Sequence, residues 1–144
     1  MNDQMHSNER KQLRRAFGFD EVAIVPGAVT VNPSLTDISV ELAGHTIQTP
    51  FMAAAMDAVV DPGFAVQLGR QGGLAVLNLE GLQCRFDDPE VVFEEVASVS
   101  SSKATEILQH AYSAEIRPDL IDKRIKQIRD GGVSVAVSVT PPNA

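Results

Sequence analysis

Residues 49–60 read TPFMAAAMDAVV. A proline near the start leads into small and apolar residues, and a Met56-Asp57 pair sits near the end. Asp61-Pro62 follows, then a helix-like run that stops at Gly72-Gly73. This pattern reads as a buried parallel strand over Phe51–Ala55 that leads into a crossover helix. The small residues of the strand allow close approach by a ligand or a neighbouring strand. Asp61 is placed to cap the helix, with Pro62 at its first position, where a missing N–H costs nothing. Phe64, Ala65 and Leu68 share one face of it.

The same unit recurs downstream. Leu74–Leu77 reads as a second short buried strand, ending in Asn78-Leu79-Glu80-Gly81. Asp88-Pro89 repeats the cap-plus-proline device before a helix whose apolar face is Val92, Phe93 and Val96. Ser98–Ser102 breaks that helix, and Ala104, Ile107, Leu108 and Ala111 mark the next. After Ile116-Arg117-Pro118, a further helix carries Ile121, Ile125 and Ile128. Gly131-Gly132 stops it as Gly72-Gly73 stops the first. Val133–Val139 (VSVAVSV) is then the third strand.

Upstream, Glu21–Val25 reads as a short extended segment closed by the turn signal Pro26-Gly27. Val29–Glu41 alternates weakly, with Ile38, Val40 and Leu42 on one face. Ala43-Gly44-His45 turns and Thr46–Gln48 returns, a β-hairpin that plugs or caps a sheet or barrel. His45 falls in that turn as a surface residue. Residues 1–16 read as a flexible arm and 17–144 as one folded part. The basic run around Arg10-Lys11 and Arg14-Arg15 is a solvated terminus or a contact for a phosphate or a partner.

Composition narrows the function classes. The 144 residues are 44% hydrophobic and 22% charged, ordinary for a soluble globular domain. A net charge of −7 gives no basic footprint for nucleic acid or an anionic membrane. No apolar run approaches a membrane span, and the polar N-terminus carries no secretory core. The single cysteine, Cys84, makes no intrachain disulfide and no metal cluster. Cytoplasmic residence is the simplest expectation.

Strands alternating with helices imply right-handed parallel crossovers in an α/β fold. The candidates are an open doubly wound sheet or a β/α barrel. No strand is followed by G-x-G-x-x-G, so a Rossmann dinucleotide site is not supported. A complete β/α barrel needs about 200 to 250 residues and eight strands. Three parallel strands are counted here, the last without a helix to cover it, so a barrel reading makes this the first part of one.

Three runs carry a resemblance. Phe19–Pro26 (FDEVAIVP), Thr49–Val60 and Gly72–Gly81 (GGLAVLNLEG) stand in the order and spacing of the IMP dehydrogenase/GMP reductase family. Residues 76–83 (VLNLEGLQ) and 116–140 resemble its IMP dehydrogenase-like subgroup, which lacks the regulatory (CBS) insertion after the second barrel strand. Only the helices between Glu90 and Asp130 fill that place here. The resemblance implies a partial TIM (β/α)8 barrel: an N-terminal hairpin plus about the first three parallel strands and their helices. It also implies a homotetramer for the full-length protein, with the active site at the C-terminal strand ends.

For the full-length protein the resemblance implies oxidation of IMP with NAD. A cysteine thiolate attacks C2 of IMP, hydride passes to NAD, and water releases XMP. The alternative is GMP reductase, which deaminates GMP to IMP with NADPH. NAD or NADP is thus the implied cofactor, with most of its site beyond residue 144, and a monovalent cation accompanies the full-length protein. A reading of another class is a non-catalytic module that binds a nucleotide or docks onto a homologue.

Carried over by position, Met56 matches a methionine packed near the purine, and Ala54 falls where many members place a nucleotide-contacting serine. That substitution removes one hydroxyl. Asp57 matches an aspartate assigned to loop positioning. Asn78 and Glu80 lie where other members carry histidine or asparagine near the ligands. From the residues alone, Met56 reads as core packing sooner than as a ligand contact, Asp57 as a cap for local N–H groups, and Asn78 and Glu80 as a solvated turn. The family's catalytic cysteine sits later, in a Gly-Ser-x-Cys-x-Thr-like loop. Cys84 has no such context, so no catalytic residue and no metal ligand is assigned in this chain, and the chain alone is expected to be inactive.

Overall fold

A computed structural model describes residues 14–143. The chain divides into two compact units, Met1–Thr36 and Asp37–Ala144. The arm expected over residues 1–16 lies almost wholly outside the described residues. In the first unit Glu21–Val25 joins no strand; Phe19, Ile24 and Val25 are exposed, and a 3-10 turn occupies Pro33–Leu35. Asn32 caps that turn, its side-chain oxygen accepting from the Ser34 N–H at 3.1 Å.

The second unit opens on an antiparallel hairpin, β1 (Val40–Leu42) and β2 (His45–Ile47). Leu42 pairs with His45, so Ala43-Gly44 is a two-residue turn with both residues at positive φ, 50° and 79°. The hairpin is shorter than its sequence suggests. Residues 29–39 stay outside it, and Asn32-Pro33 is spent on the 3-10 turn. His45 lies in β2 rather than in the turn, and is exposed.

Three parallel strands follow in sequential order: β3 (Met52–Ala53), β4 (Leu74–Asn78) and β5 (Ala136–Ser138). Met52 pairs with Leu74, and Val76 with Ala136. Strand β3 is two residues long rather than the expected five, because the chain turns directly after it. The N–H of Met56 reaches back to the Ala54 carbonyl at 2.7 Å. Strand β5 is likewise confined to the centre of Val133–Val139. The strands keep their chain order in the sheet, as in a β/α barrel, and the three do not close into a ring.

Four helices connect them: α1 (Pro62–Arg70), α2 (Glu90–Ala97), α3 (Ser101–Tyr112) and α4 (Pro118–Asp130). Asp61 caps α1 as expected, accepting from the Phe64 N–H at 2.8 Å. Asp88 does not repeat the device: Pro89 is the cap of α2, and no side chain bonds its first turn. The two Gly-Gly stops are alike. Gly72 and Gly132 take φ of 86° and 76°, the left-handed conformation that only glycine adopts without strain.

One core lies between the sheet and the helices α1 and α4. Ala75, Leu77, Val60, Ala65 and Ile128 are buried there, packed by Leu68, Ile121, Ile125, Val133 and Val135. A smaller core of Leu82, Val92 and Ala111, with Phe86, Phe93, Val96 and Leu108, joins α2 and α3 to the turn after β4. Between β4 and β5 there are only these helices, with no inserted domain.

Candidate functional site

The C-terminal ends of β3 and β4 meet in a polar cluster. After β3 a tight turn forms, in which the N–H groups of Val59 and Val60 both reach the Met56 carbonyl at 2.9 Å. The turn sorts its side chains. Val60 and Asp57 go inward, 1% and 9% exposed, whereas Met56 is 59% exposed. Ala54 is also exposed.

Asp57 is the centre of the cluster. One carboxylate oxygen accepts from the Asn78 amide at 3.1 Å, and the other from the Leu82 N–H at 2.8 Å. The second oxygen also accepts from the Tyr112 hydroxyl at the end of α3. Each bond involves an ionised acceptor, the stronger class of hydrogen bond. The carboxylate lies so close to Gly81 that a Cβ there would stand 1.8 Å from its oxygen. Glycine is therefore required at residue 81 by space, not by conformation.

The turn after β4 is fastened from several sides. The Asn78 side-chain oxygen accepts from the Glu80 N–H at 3.1 Å. The Glu80 carboxylate accepts from Thr140 Oγ1 at 2.7 Å and Asn143 Nδ2 at 2.5 Å, which ties β4 to the loop after β5. These two donors, Asn143 foremost, hold the Glu80 carboxyl below its ordinary range. Arg85 donates to the carbonyls of Glu80 and Ala114, and its guanidinium lies 5.6 Å from the centre of the Tyr112 ring. Burial, then the bond to Asp57, pushes the Tyr112 phenol up to about 12.

Arg124 is buried and bonds only neutral partners, among them the carbonyls of Gln83, Phe86 and Asp87 at 2.9, 3.2 and 2.9 Å. It pins α4 to the 3-10 turn Leu82–Cys84 and the residues after it. Cys84 is fully buried in this turn, and burial pushes its thiol up to about 11. A thiolate nucleophile requires the opposite environment.

Of the residues picked out in sequence, Asp57 and Asn78 touch directly. Glu80 joins them through its backbone, while its side chain turns to Thr140 and Asn143. Ala54 and Met56 stand beside this cluster as open surface. Tyr112, Gly81, Arg85 and Arg124 went unrecognised. Arg124 left a trace, since Leu120, Arg124 and Ile128 recur every four residues on one helix face. Tyr112 left none, because its partner lies 55 residues away.

A larger groove of about 500 Å³ lies towards the hairpin, between β1–β2 and the sheet. Its lining includes Leu42, Ile47, Met52, Leu74 and Val76, and His45 is its single titratable side chain. Chemistry therefore concentrates at the opposite ends of the strands. Among the described residues no group of three or more His, Cys, Asp or Glu is arranged to hold a metal. No helix among them is long and apolar enough to cross a membrane.

A family model described as the IMP dehydrogenase/GMP reductase domain matches residues 16–140. The chain belongs to that family. An uncharacterised oxidoreductase of Mycolicibacterium smegmatis is 37% identical over 139 residues, covering 93% of this chain and 37% of the relative. An inosine-5'-monophosphate dehydrogenase of Methanocaldococcus jannaschii is 36% identical over 97 residues, covering 62% of this chain and 20% of that protein. The crystal structure of an IMP dehydrogenase/GMP reductase-like protein from Corynebacterium glutamicum superposes with a TM-score of 0.81 at 32% identity. That superposition covers 91% of this chain and 36% of the other. The chain thus spans a little over a third of the length of the Mycolicibacterium and Corynebacterium proteins, and its sheet and helices resemble a part of the TIM-barrel fold.

The polar groups gathered here do not fit a dinucleotide cradle. Asp57, Asn78 and Glu80 are engaged with one another and with neighbouring turns. Beside them Ala54 and Met56 are exposed and apolar.

Proposed function

We propose that this chain supplies the purine-facing wall of an IMP dehydrogenase-like oxidoreductase. Ala54 and Met56 are the substrate-contacting surface, and Asp57, Asn78 and Glu80 hold the turns that present it. The observation that carries this reading is the pairing of an exposed Met56 with a fully bonded Asp57 at the C-terminal ends of parallel strands. That is the end at which β/α-barrel enzymes bind and turn over their substrates. Oxidation of IMP to XMP, the use of NAD or NADP and a homotetrameric, cytoplasmic assembly belong to the whole protein under this reading.

The chain by itself is proposed to bind a nucleotide without turning it over. Its single cysteine is buried with a raised thiol pKa, so it offers no thiolate to attack a purine. Titration calorimetry with IMP and GMP, beside assays of NADH formation from IMP and NADPH consumption with GMP, tests both halves. Binding of a nucleotide without turnover is expected. NADH formed by the chain alone would overturn its inactivity, and failure to bind either nucleotide would overturn the site. Tighter binding of GMP, with NADPH consumed, would favour the GMP reductase alternative.

A further inference from the structure

Among the described residues, the bond between Tyr112 and Asp57 is the one hydrogen bond that joins the end of α3 to the turn after β3. It crosses 55 residues of chain and reaches a carboxylate that is drawn inward, while the residue before it, Met56, is turned outward. The other two donors to Asp57, Asn78 and the Leu82 N–H, come from the end of β4 and the 3-10 turn after it, so among the described residues Tyr112 alone ties the carboxylate to an α-helix. Its ring is braced by Arg85, which also bonds the Ala114 carbonyl two residues beyond it. We propose that Tyr112 is a positioning residue for the nucleotide surface, holding Asp57 and through it the place of Met56. This rests on the reading that Met56 faces the purine.

The chain contains one tyrosine and no tryptophan, so its intrinsic emission reports Tyr112 alone. A phenol bonded to a carboxylate is quenched. The test compares wild-type chain, Tyr112→Phe and Asp57→Asn. Asp57→Asn is expected to raise the tyrosine emission at neutral pH in the absence of nucleotide, with the far-ultraviolet circular dichroism unchanged. Tyr112→Phe is expected to weaken IMP binding about five- to tenfold, less than the full worth of one hydrogen bond to a charged group, because the bond acts through Asp57 and not on the nucleotide. It should also broaden the Met56 methyl resonance in the free chain, which a substitution that only loosens packing elsewhere would not do. Unchanged emission in Asp57→Asn overturns the proposed bond whatever the nucleotide does. Normal IMP affinity in Tyr112→Phe overturns the positioning role while leaving the site standing. Wild-type chain that binds neither IMP nor GMP overturns the site and this role together.

Discussion

The face of the sheet covered by α1 and α4 and the rim at its C-terminal end are held by opposite means. On the covered face Ala75 and Leu77 are 3% and 0% exposed, and their packing against α1 and α4 is apolar. At the rim one aspartate gathers three donors, and the neighbouring methionine is left open. Apolar packing is non-directional and tolerates a swap of similar volume. A bonded carboxylate fixes a backbone turn in one geometry, which is what a binding surface needs.

Substitutions can break the contrast from either side. Leu77→Ala removes a fully buried side chain from the covered face and should cost about 2–5 kcal/mol in urea unfolding. Gly81→Ala places a methyl group against a carboxylate that three donors hold still. A loss of about 2–3 kcal/mol is expected, although alanine favours ordinary backbone. In an Asp57→Ala background the same change should cost little. An undiminished loss there would place the steric conflict with another group.

Cys84 gives a pH dependence with a definite sign. Burial raises its thiol from an ordinary 9.0 to about 11, so the folded chain holds this proton more tightly than the unfolded one. Its contribution to stability is whole below pH 9.0 and drains away as the pH rises from there to about 11. Melting curves should decline from pH 9.0 upward in the wild-type chain, whereas Cys84→Ala should keep only the later fall, above pH 10, that the raised Tyr112 phenol gives. Met56→Ala has the smallest expected effect on folding, within about 0.5 kcal/mol, because the side chain is mostly exposed. If Met56 faces the purine as proposed, its effect on IMP affinity should be larger, about tenfold, because alanine covers less of the apolar ring face.

The covered face was legible in the sequence and the rim only in part. Hydrophobic period, the Asp61-Pro62 start and the paired glycine stops are local signals, and they placed α1, β4 and α4 within a few residues. The hairpin turn was legible for the same reason. Local signals failed at Asp88, where the proline itself took the cap position. They also failed at β3, where the turn after Ala53 cut short a five-residue apolar run. At the rim the sequence pointed to Met56, Asp57, Asn78 and Glu80, since they close strands. What joins them was invisible: Tyr112, Thr140 and Asn143 reach them from 55 to 63 residues away in the chain. Gly81 resembles any turn glycine until the Asp57 carboxylate is seen where its side chain would be.

The surface itself is tested most directly by methyl resonances of the four methionines, labelled with carbon-13 and titrated with IMP. Met52 lines the groove towards the hairpin and Met56 stands at the rim, so the two report opposite ends of the strands. Saturable shifts of the Met56 methyl, with Met52 unmoved, are the expected result. Shifts at Met52 with Met56 unmoved would place the nucleotide at the other end and contradict the account.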